Sequence, residues 1–495
     1  FLRCHGEAHL GSGNSVFLPY LWPMVLHIPF DNSYAQLGPG FFSRQLPEPV
    51  KAPQLIAYNQ ALADQLQIEG AVSQEMAEIF AGNQMPQGAE PLAQVYAGHQ
   101  FGNYNPQLGD GRAVLLGEVL DSGGMRYDLQ LKGAGRTPYS RQGDGRAWLG
   151  PVLREYIVSE AMHALGIPTT RALAAVSTGE TVWREGGLPG AILTRVAASH
   201  LRVGSFQYFA ARGETDALKT LTDYAIARHY PQAEGPLGLL RAVRDAQAKL
   251  IAAWMSVGFI HGVMNTDNCS IPGETIDYGP CAFMDQYNAE QVFSSIDRMG
   301  RYAYANQPKI GVWNLAQLAT ALIQQLDAPQ DAVEEATAII HAMPSLIEVE
   351  WLRLFRRKIG LQTVEPGDMD LISDLLQLMA EGAADFTNTF RALSEGVAAA
   401  EFKDPEPFTA WHSRWMQRLA QEQDAQSVMR ASNPVYIPRN HRIEEMIAAA
   451  VAGDFALFDR LGDVLKTPYD VQTGAEDLRR PPEANEVVTA TFCGT

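Results

Sequence analysis

The sequence predicts an α+β protein: a strand-rich N-terminal part followed by a larger helical part. Three observations predict it. "RAVLLGEVL" and "RYDLQLKG" read as two strands, and the "DSGG" between them is a hairpin signal. "LGPVLREYIVSEAMHALG" carries a helical stripe at positions 152, 153, 156, 157, 161 and 165, stopped by Gly166 and Pro168. From about residue 215 onward, helical patterns dominate.

The elements follow in order. Residues 1–27 are an N-terminal extension given no functional weight, because the chain begins with Phe rather than Met. The apolar run "FLPYLWPMVLHIPF" has 14 residues and three prolines, too short and broken for a membrane span and without a signal-peptide cleavage site after it. "PQLIAYNQALADQLQI" reads as a helix and "GNQMPQGAEP" as a loop. In the second hairpin strand, Tyr127, Leu129 and Leu131 share one face and Asp128, Gln130 and Lys132 the other. "RALAAVS", "ETVWREG" and "GAILTRVA" read as strand pieces. "LLRAVRDAQAKLIAAWMSVGF" is a long amphipathic helix leading into "IHGVMNTDNCSIPGETIDYGP". "WNLAQLATALIQQL", "DLISDLLQLMAEGAADF" and "HRIEEMIAAAVAGDFALFDRLGDVL" are the clearest later helices. The expected units are 28–215, strand-rich and nucleotide-binding; 216–470, helical; and a polar tail, 471–495, that must dock to be ordered.

Composition narrows the class. With 46% hydrophobic and 19% charged residues the chain is an ordinary globular protein. A net charge of -18 argues against a broad nucleic-acid surface but not against a local basic pocket for phosphates. Cys4, Cys269, Cys281 and Cys493 form no CxxC pair, so a zinc site or disulfide scaffold is not expected and a reducing compartment is the default.

One constellation carries chemistry. "QLGDGRA" places Gly109 and Gly111 at the entrance of the first hairpin strand, where a glycine turn allows close approach to a ligand. Lys132 lies on a strand and Glu155 on the next helix, 23 residues later, the pairing by which a kinase holds its phosphate-contacting amine. Asn268 and Asp277, nine residues apart, are hard oxygen ligands suited to Mg²⁺, and "DYG" stands where a kinase has Asp-Phe-Gly. His261 opens the catalytic-loop pattern and Asn268 follows seven residues later, but the Asp position holds Val263. Asp267 can act as the base from a shifted position; a turn or cap role is its bland alternative. A second "GDGR" adds Asp144 and Gly145, and Arg195 and Arg202 are suited to bidentate phosphate contact. Each piece alone favours a structural role. Their joint occurrence in kinase order favours a two-lobed, protein kinase-like fold with a nucleotide between the lobes.

"FDNSYAQLGPGFF", "YAGHQFGNYNPQLGDGRAVLLGE", "LQLKGAGRTPYSRQGDGRAWLG", "HGVMNTDNCSIPGETIDYGP" and "NPVYIPRN" together resemble the selenoprotein O family, also called the YdiU family, from about Phe30 to Thr495. The resemblance implies a pseudokinase fold that binds ATP in a flipped orientation. It implies transfer of AMP to Ser, Thr or Tyr hydroxyls of protein substrates, with uridylylation and Mn²⁺ also attributed to members. Carried onto this chain, the nucleotide contacts are Gly109, Gly111, Arg112, Lys132, Asp144, Gly145, Arg195, Arg202 and Asp277. Glu155 orients Lys132, Asp267 accepts the proton, and Asn268 and Asp277 hold Mg²⁺. Cys493 stands where some members carry selenocysteine, and a redox pair with Cys281 is a further hypothesis. Cys269 departs from an expected Met. A monomer in the bacterial cytoplasm is expected, or a mitochondrial protein in a eukaryote, with no nucleic-acid or membrane partner. The rivals are a divergent kinase using Asp267 as base, disfavoured by Val263 and the surplus arginines, and a silent nucleotide-binding scaffold, disfavoured by the intact catalytic set.

Overall fold

The computed structural model describes residues 26–327 and 329–492. Strands β1 (Phe42–Arg44) and β2 (Gln54–Tyr58) precede two short helices, α1 (Gln60–Gln65) and α2 (Gln74–Phe80). The helix predicted over 53–68 therefore divides. Its first half pairs with a neighbouring strand, with Leu55 opposite Val176 and Tyr58 opposite Ala174. Asn59 then caps α1 by accepting from the Leu62 N–H at 3.2 Å. An unpaired sheet edge and the bulky Ile56 and Tyr58 outweigh the local helical pattern.

Next come β3 (Leu92–Gln94), β4 (Gly98–Gln100), β5 (Asn103–Asn105), β6 (Ala113–Leu120), β7 (Arg126–Lys132) and β8 (Ala147–Trp148). Helix α3 (Leu149–Ala164) leads to β9 (Arg171–Trp183) and β10 (Gly187–Ala197). The β6–β7 hairpin and α3 lie where the sequence predicts them. "RALAAVS" and "ETVWREG" are one strand rather than two. Gly179, at φ 68°, lets it continue past Ala52, whose Cβ would lie 2.7 Å from any Cβ added there.

The large sheet runs β1-β3-β6-β7-β10-β9-β2, with β8 attached to β10, and its pairings are antiparallel. Leu129 and Leu131 pack with residues of α1 and α2 on one face. On the other face, Leu115 and Leu193 pack with α3, as the alternation of β7 requires. Gln130 is opposite Arg195 and Lys132 is opposite Leu193, so Gln130, Lys132 and Arg195 project from that second face.

The chain then turns helical, with α4 (Val203–Ala210), α5 (Thr215–His229) and α6 (Gly235–Ser256). Two-residue strands β11 (Phe259–Ile260) and β12 (Ala282–Phe283) pair antiparallel and bracket the motif-bearing loop. Helix α7 (Gln307–Leu322) and further helices complete the C-terminal part. "DLISDLLQLMAEGAADF" ends as a helix at Gly382, and Asp385 caps the next one, Phe386–Glu395. "HRIEEMIAAAVAGDFALFDRLGDVL" breaks at Gly453, φ 95°, into Asn440–Val451 and Ala456–Leu465. The tail docks: Thr491 pairs with Ser294, and its hydroxyl donates to the Pro280 carbonyl at 2.6 Å. No helix among the described residues is long and apolar enough to cross a membrane.

A second core in the helical part holds Phe355, Phe386, Phe390, Trp411 and Trp415. Lys358 ends in it, with Nζ 4.3 Å from the Phe390 ring centroid and 5.4 Å from that of Phe386. The ring faces favour the cation, but burial dominates and lowers the Lys358 pKa to about 7. The unfolded chain holds this proton up to the ordinary value of 10.5, so the penalty is full below pH 7 and fades as pH rises. Lys358→Met is expected to stabilise the protein by about 1–3 kcal/mol at pH 6–7. Its advantage should shrink toward pH 10 in urea titrations; a pH-independent gain would rule this account out.

Candidate active site

A cavity of about 1240 Å³ opens between the large sheet and the helical part. The sequence-predicted residues Gly109, Gly111, Arg112, Lys132, Asp144 and Gly145 line it. So do Glu155, Arg195, Arg202, Asp267, Asn268 and Asp277. Cys281 is buried near it, and Cys493 lies outside the described residues.

The centre is a compact charge cluster. Lys132 Nζ, on β7, donates to Glu155 Oε2 at 2.6 Å and to Asp277 Oδ1 at 2.8 Å. Arg195, on β10, donates from Nη2 to Glu155 Oε1 at 2.5 Å and to Asp277 Oδ1 at 2.6 Å. Arg202, at the N-terminal end of α4, reaches Asp110 Oδ1 at 3.4 Å and lies 3.7 Å from Asp277 Oδ2. The Arg202 guanidinium also covers the Tyr96 ring, 4.4 Å from its centroid. Burial pushes the Glu155 and Asp277 carboxyls up, but the adjacent cations outweigh it. Arg195 and Lys132 hold Glu155 below its ordinary pKa, and with Arg202 they hold Asp277 well below. Both are anions at neutral pH.

The loop between β11 and β12 presents Asp277 in a left-handed conformation, φ 63°, an uncommon state that Asp tolerates better than most residues. His261 braces the approach through Nε2 and the Ile276 carbonyl, 2.9 Å apart. Earlier in the same loop, a single 3₁₀ turn, Thr266–Asn268, carries Asp267. Burial raises the Asp267 pKa to about 6, against a 3.0 Å hydrogen bond from Gln100 Nε2 to its Oδ2. Its Oδ1 is buried without a hydrogen-bond partner among the described residues. Asn268 donates from Nδ2 to the Val263 carbonyl at 3.0 Å.

Glycines in the two turns let the loops nest. A Cβ on Gly109 would lie 2.5 Å from the Tyr139 ring, and one on Gly145 would lie 2.0 Å from the Gly135 carbonyl oxygen. The sequence predicts close approach of a ligand at Gly109; the neighbour that requires glycine there is the second loop. Asp144 is engaged by Arg184, whose Nη1 and Nη2 donate at 2.8 and 3.1 Å. Arg112, Arg136 and Arg141 line the cavity with no ion-pair partner among the described residues. No cluster of three His, Cys, Asp or Glu side chains suited to a metal occurs among the described residues. Asn268 and Asp277, an amide and a carboxylate on the same cavity, would suit an ion such as Mg²⁺ that keeps waters and phosphates as its remaining ligands.

A family model described as "Protein adenylyltransferase SelO" matches residues 24–466. The chain belongs to the SelO family. It is 70% identical over 472 residues to a "Protein nucleotidyltransferase YdiU" of Ruegeria sp. (strain TM1040), covering 95% of this chain and 100% of the relative. Similar proteins of the same description occur in Ruegeria pomeroyi at 68% and Roseobacter denitrificans at 64% identity, each over 95% of this chain and 100% of the relative.

In this SelO-family chain, several residues around the site escaped the sequence reading. Asp110 is buried and accepts from the Gln94 N–H at 3.1 Å and Gln130 Nε2 at 3.2 Å besides facing Arg202. Tyr96, Gln100 and Arg184 are equally long-range partners. Asp110 sits inside "QLGDGRA", so a signal existed; the glycines beside it drew the weight. Removing Glu155 leaves Arg195, only 2% exposed, with Asp277 as its one remaining ion-pair partner among the described residues. Glu155→Ala is expected to destabilise by about 3–5 kcal/mol in chemical denaturation. Asp223→Ala in the exposed Lys219–Asp223 pair should change stability by about 0.5 kcal/mol or less.

Proposed function

We propose that this chain transfers AMP from ATP to Ser, Thr or Tyr hydroxyls of other proteins and releases pyrophosphate. The fold is read as kinase-like and two-lobed, with the sheet and α3 as the smaller lobe. The observation that carries the reading is the convergence of Lys132, Arg195 and Arg202 on Asp277, with Asp267 on the same cavity and Val263 at the usual base position. A Lys–Glu pair and a metal-binding Asp are parts that γ-phosphoryl transfer also uses. Two additional buried arginines, and three at the walls without an ion-pair partner among the described residues, support a triphosphate that runs deeper, in the flipped orientation.

Under this reading Lys132, held by Glu155, contacts phosphate oxygens, and Arg195 and Arg202 hold the β- and γ-phosphates. Gly109, Gly111, Arg112, Asp144 and Gly145 form the walls of the nucleotide site. Asp277 and Asn268 would hold Mg²⁺, or Mn²⁺; a bound divalent ion supplies charge neutralisation at the phosphates. Asp267 takes the acceptor proton as the hydroxyl oxygen bonds to the α-phosphorus. The bond from the α-phosphorus to the bridging oxygen breaks, and pyrophosphate departs with that electron pair. Transfer of UMP from UTP belongs to the same reading, since chemistry at the α-phosphate is common to both nucleotides.

ATP labelled at the α- or the γ-phosphate tests the proposal, each incubated with the protein, Mg²⁺ or Mn²⁺, and a cell lysate. Label on protein from the α-position alone is expected, lost on Asp277→Ala and reduced about 10²–10⁴-fold on Asp267→Asn. Label from the γ-position alone would make the chain a phosphotransferase and remove the assignment of Arg195 and Arg202. Label from neither would leave a nucleotide-binding scaffold.

A further inference from the structure

The β4–β5 hairpin stands apart from the large sheet as a two-stranded unit. It is docked on the turn that carries Asp267. The His99 N–H donates to Thr266 Oγ1 at 2.7 Å, and the Phe101 N–H donates to Asn265 Oδ1 at 3.1 Å. Gln207 joins both sides, its Nε2 2.9 Å from His99 Nδ1 and its Oε1 accepting from Thr266 Oγ1 at 2.7 Å. Gly98 completes the fit, because a Cβ there would stand 2.7 Å from Asp267 Oδ1.

Between these anchors Gln100 is the one side chain that hydrogen-bonds the Asp267 carboxylate among the described residues, from Nε2 to Oδ2 at 3.0 Å. Its direction is set from behind. Asn105 Nδ2 donates to Gln100 Oε1 at 3.3 Å, so the amide nitrogen of Gln100 must face the carboxylate. A base works only when its lone pair is aligned with the proton it takes, and a shift of about 1 Å costs on the order of 100-fold in rate.

We propose that Gln100, oriented by Asn105, is a positioning residue that fixes the Asp267 carboxylate for proton transfer from the acceptor hydroxyl. The inference rests on the reading of Asp267 as the proton acceptor. It assigns the hairpin a task in the reaction that is separate from nucleotide binding.

A double-mutant cycle tests it. The full chain carrying Gln100→Leu, Asp267→Asn or both is assayed with α-labelled ATP, with ATP affinity and melting temperature measured alongside. Gln100→Leu is expected to lower the rate at saturating ATP about 10- to 100-fold while the KM for ATP changes less than about twofold. The double variant should be no slower than Asp267→Asn, since a residue acting through Asp267 has nothing left to position. Multiplicative losses, or a raised KM with an unchanged maximal rate, would overturn the proposal. Should Gln100→Leu fail to fold, Asn105→Leu removes the group that orients Gln100 and gives the same readout. If Asp267→Asn keeps full activity, the proton-acceptor reading itself falls. If Asp267→Asn is inactive and Gln100→Leu is not, only the role of Gln100 is lost.

Discussion

Asp277 comes from the loop of the helical part, yet its carboxylate is met by Lys132 and Arg195 of the sheet and by Arg202 just after it. Lys132 and Arg195 are in turn shared with Glu155 on α3. Each ion is substantially removed from water, so its neighbours of opposite charge offset the cost of burying it. The cluster therefore does two things at once. It ties the two structural halves together, and it keeps an ionised carboxylate beside a cation-lined cavity.

A second buried ion cluster works in parallel. Arg228 of α5 donates to Asp128 of β7 at 2.7 Å and also pairs with Glu118 of β6. Asp128 accepts from His200 Nδ1, and its pKa is held below the ordinary value because Arg228 and His200 outweigh burial. Asp128 lies on the same face of β7 as Lys132, so one polar edge of one strand feeds both clusters. The alternation of that strand sends Leu129 and Leu131 to the opposite core. A one-residue slip in register would bury Lys132 among leucines and leave Asp277 without its amine.

Much of the site was legible because its parts are local patterns. Lys132 follows from strand alternation, Glu155 from the stripe of α3, and Asn268 with Asp277 from a spaced motif. Long-range partners were not legible. Gln100 meets Asp267 across 167 residues and Arg202 meets Asp110 across 92 residues. Local pattern also failed where the sheet could override it, at Gln54–Tyr58, and where one glycine decides between continuing and breaking, at Gly179 and Gly453.

The sequence by itself determined the order of the main elements, the residues able to carry charge, and membership of a family whose motifs span the chain. Periodicity and motif spacing are properties of neighbouring residues, so they survive without a fold. The tertiary structure decided which charges meet. It set three cations around Asp277, paired Asp144 with Arg184, and placed a separate hairpin against Asp267. Those choices depend on burial and on distances of about 3 Å between segments far apart in the chain, and no local pattern encodes them.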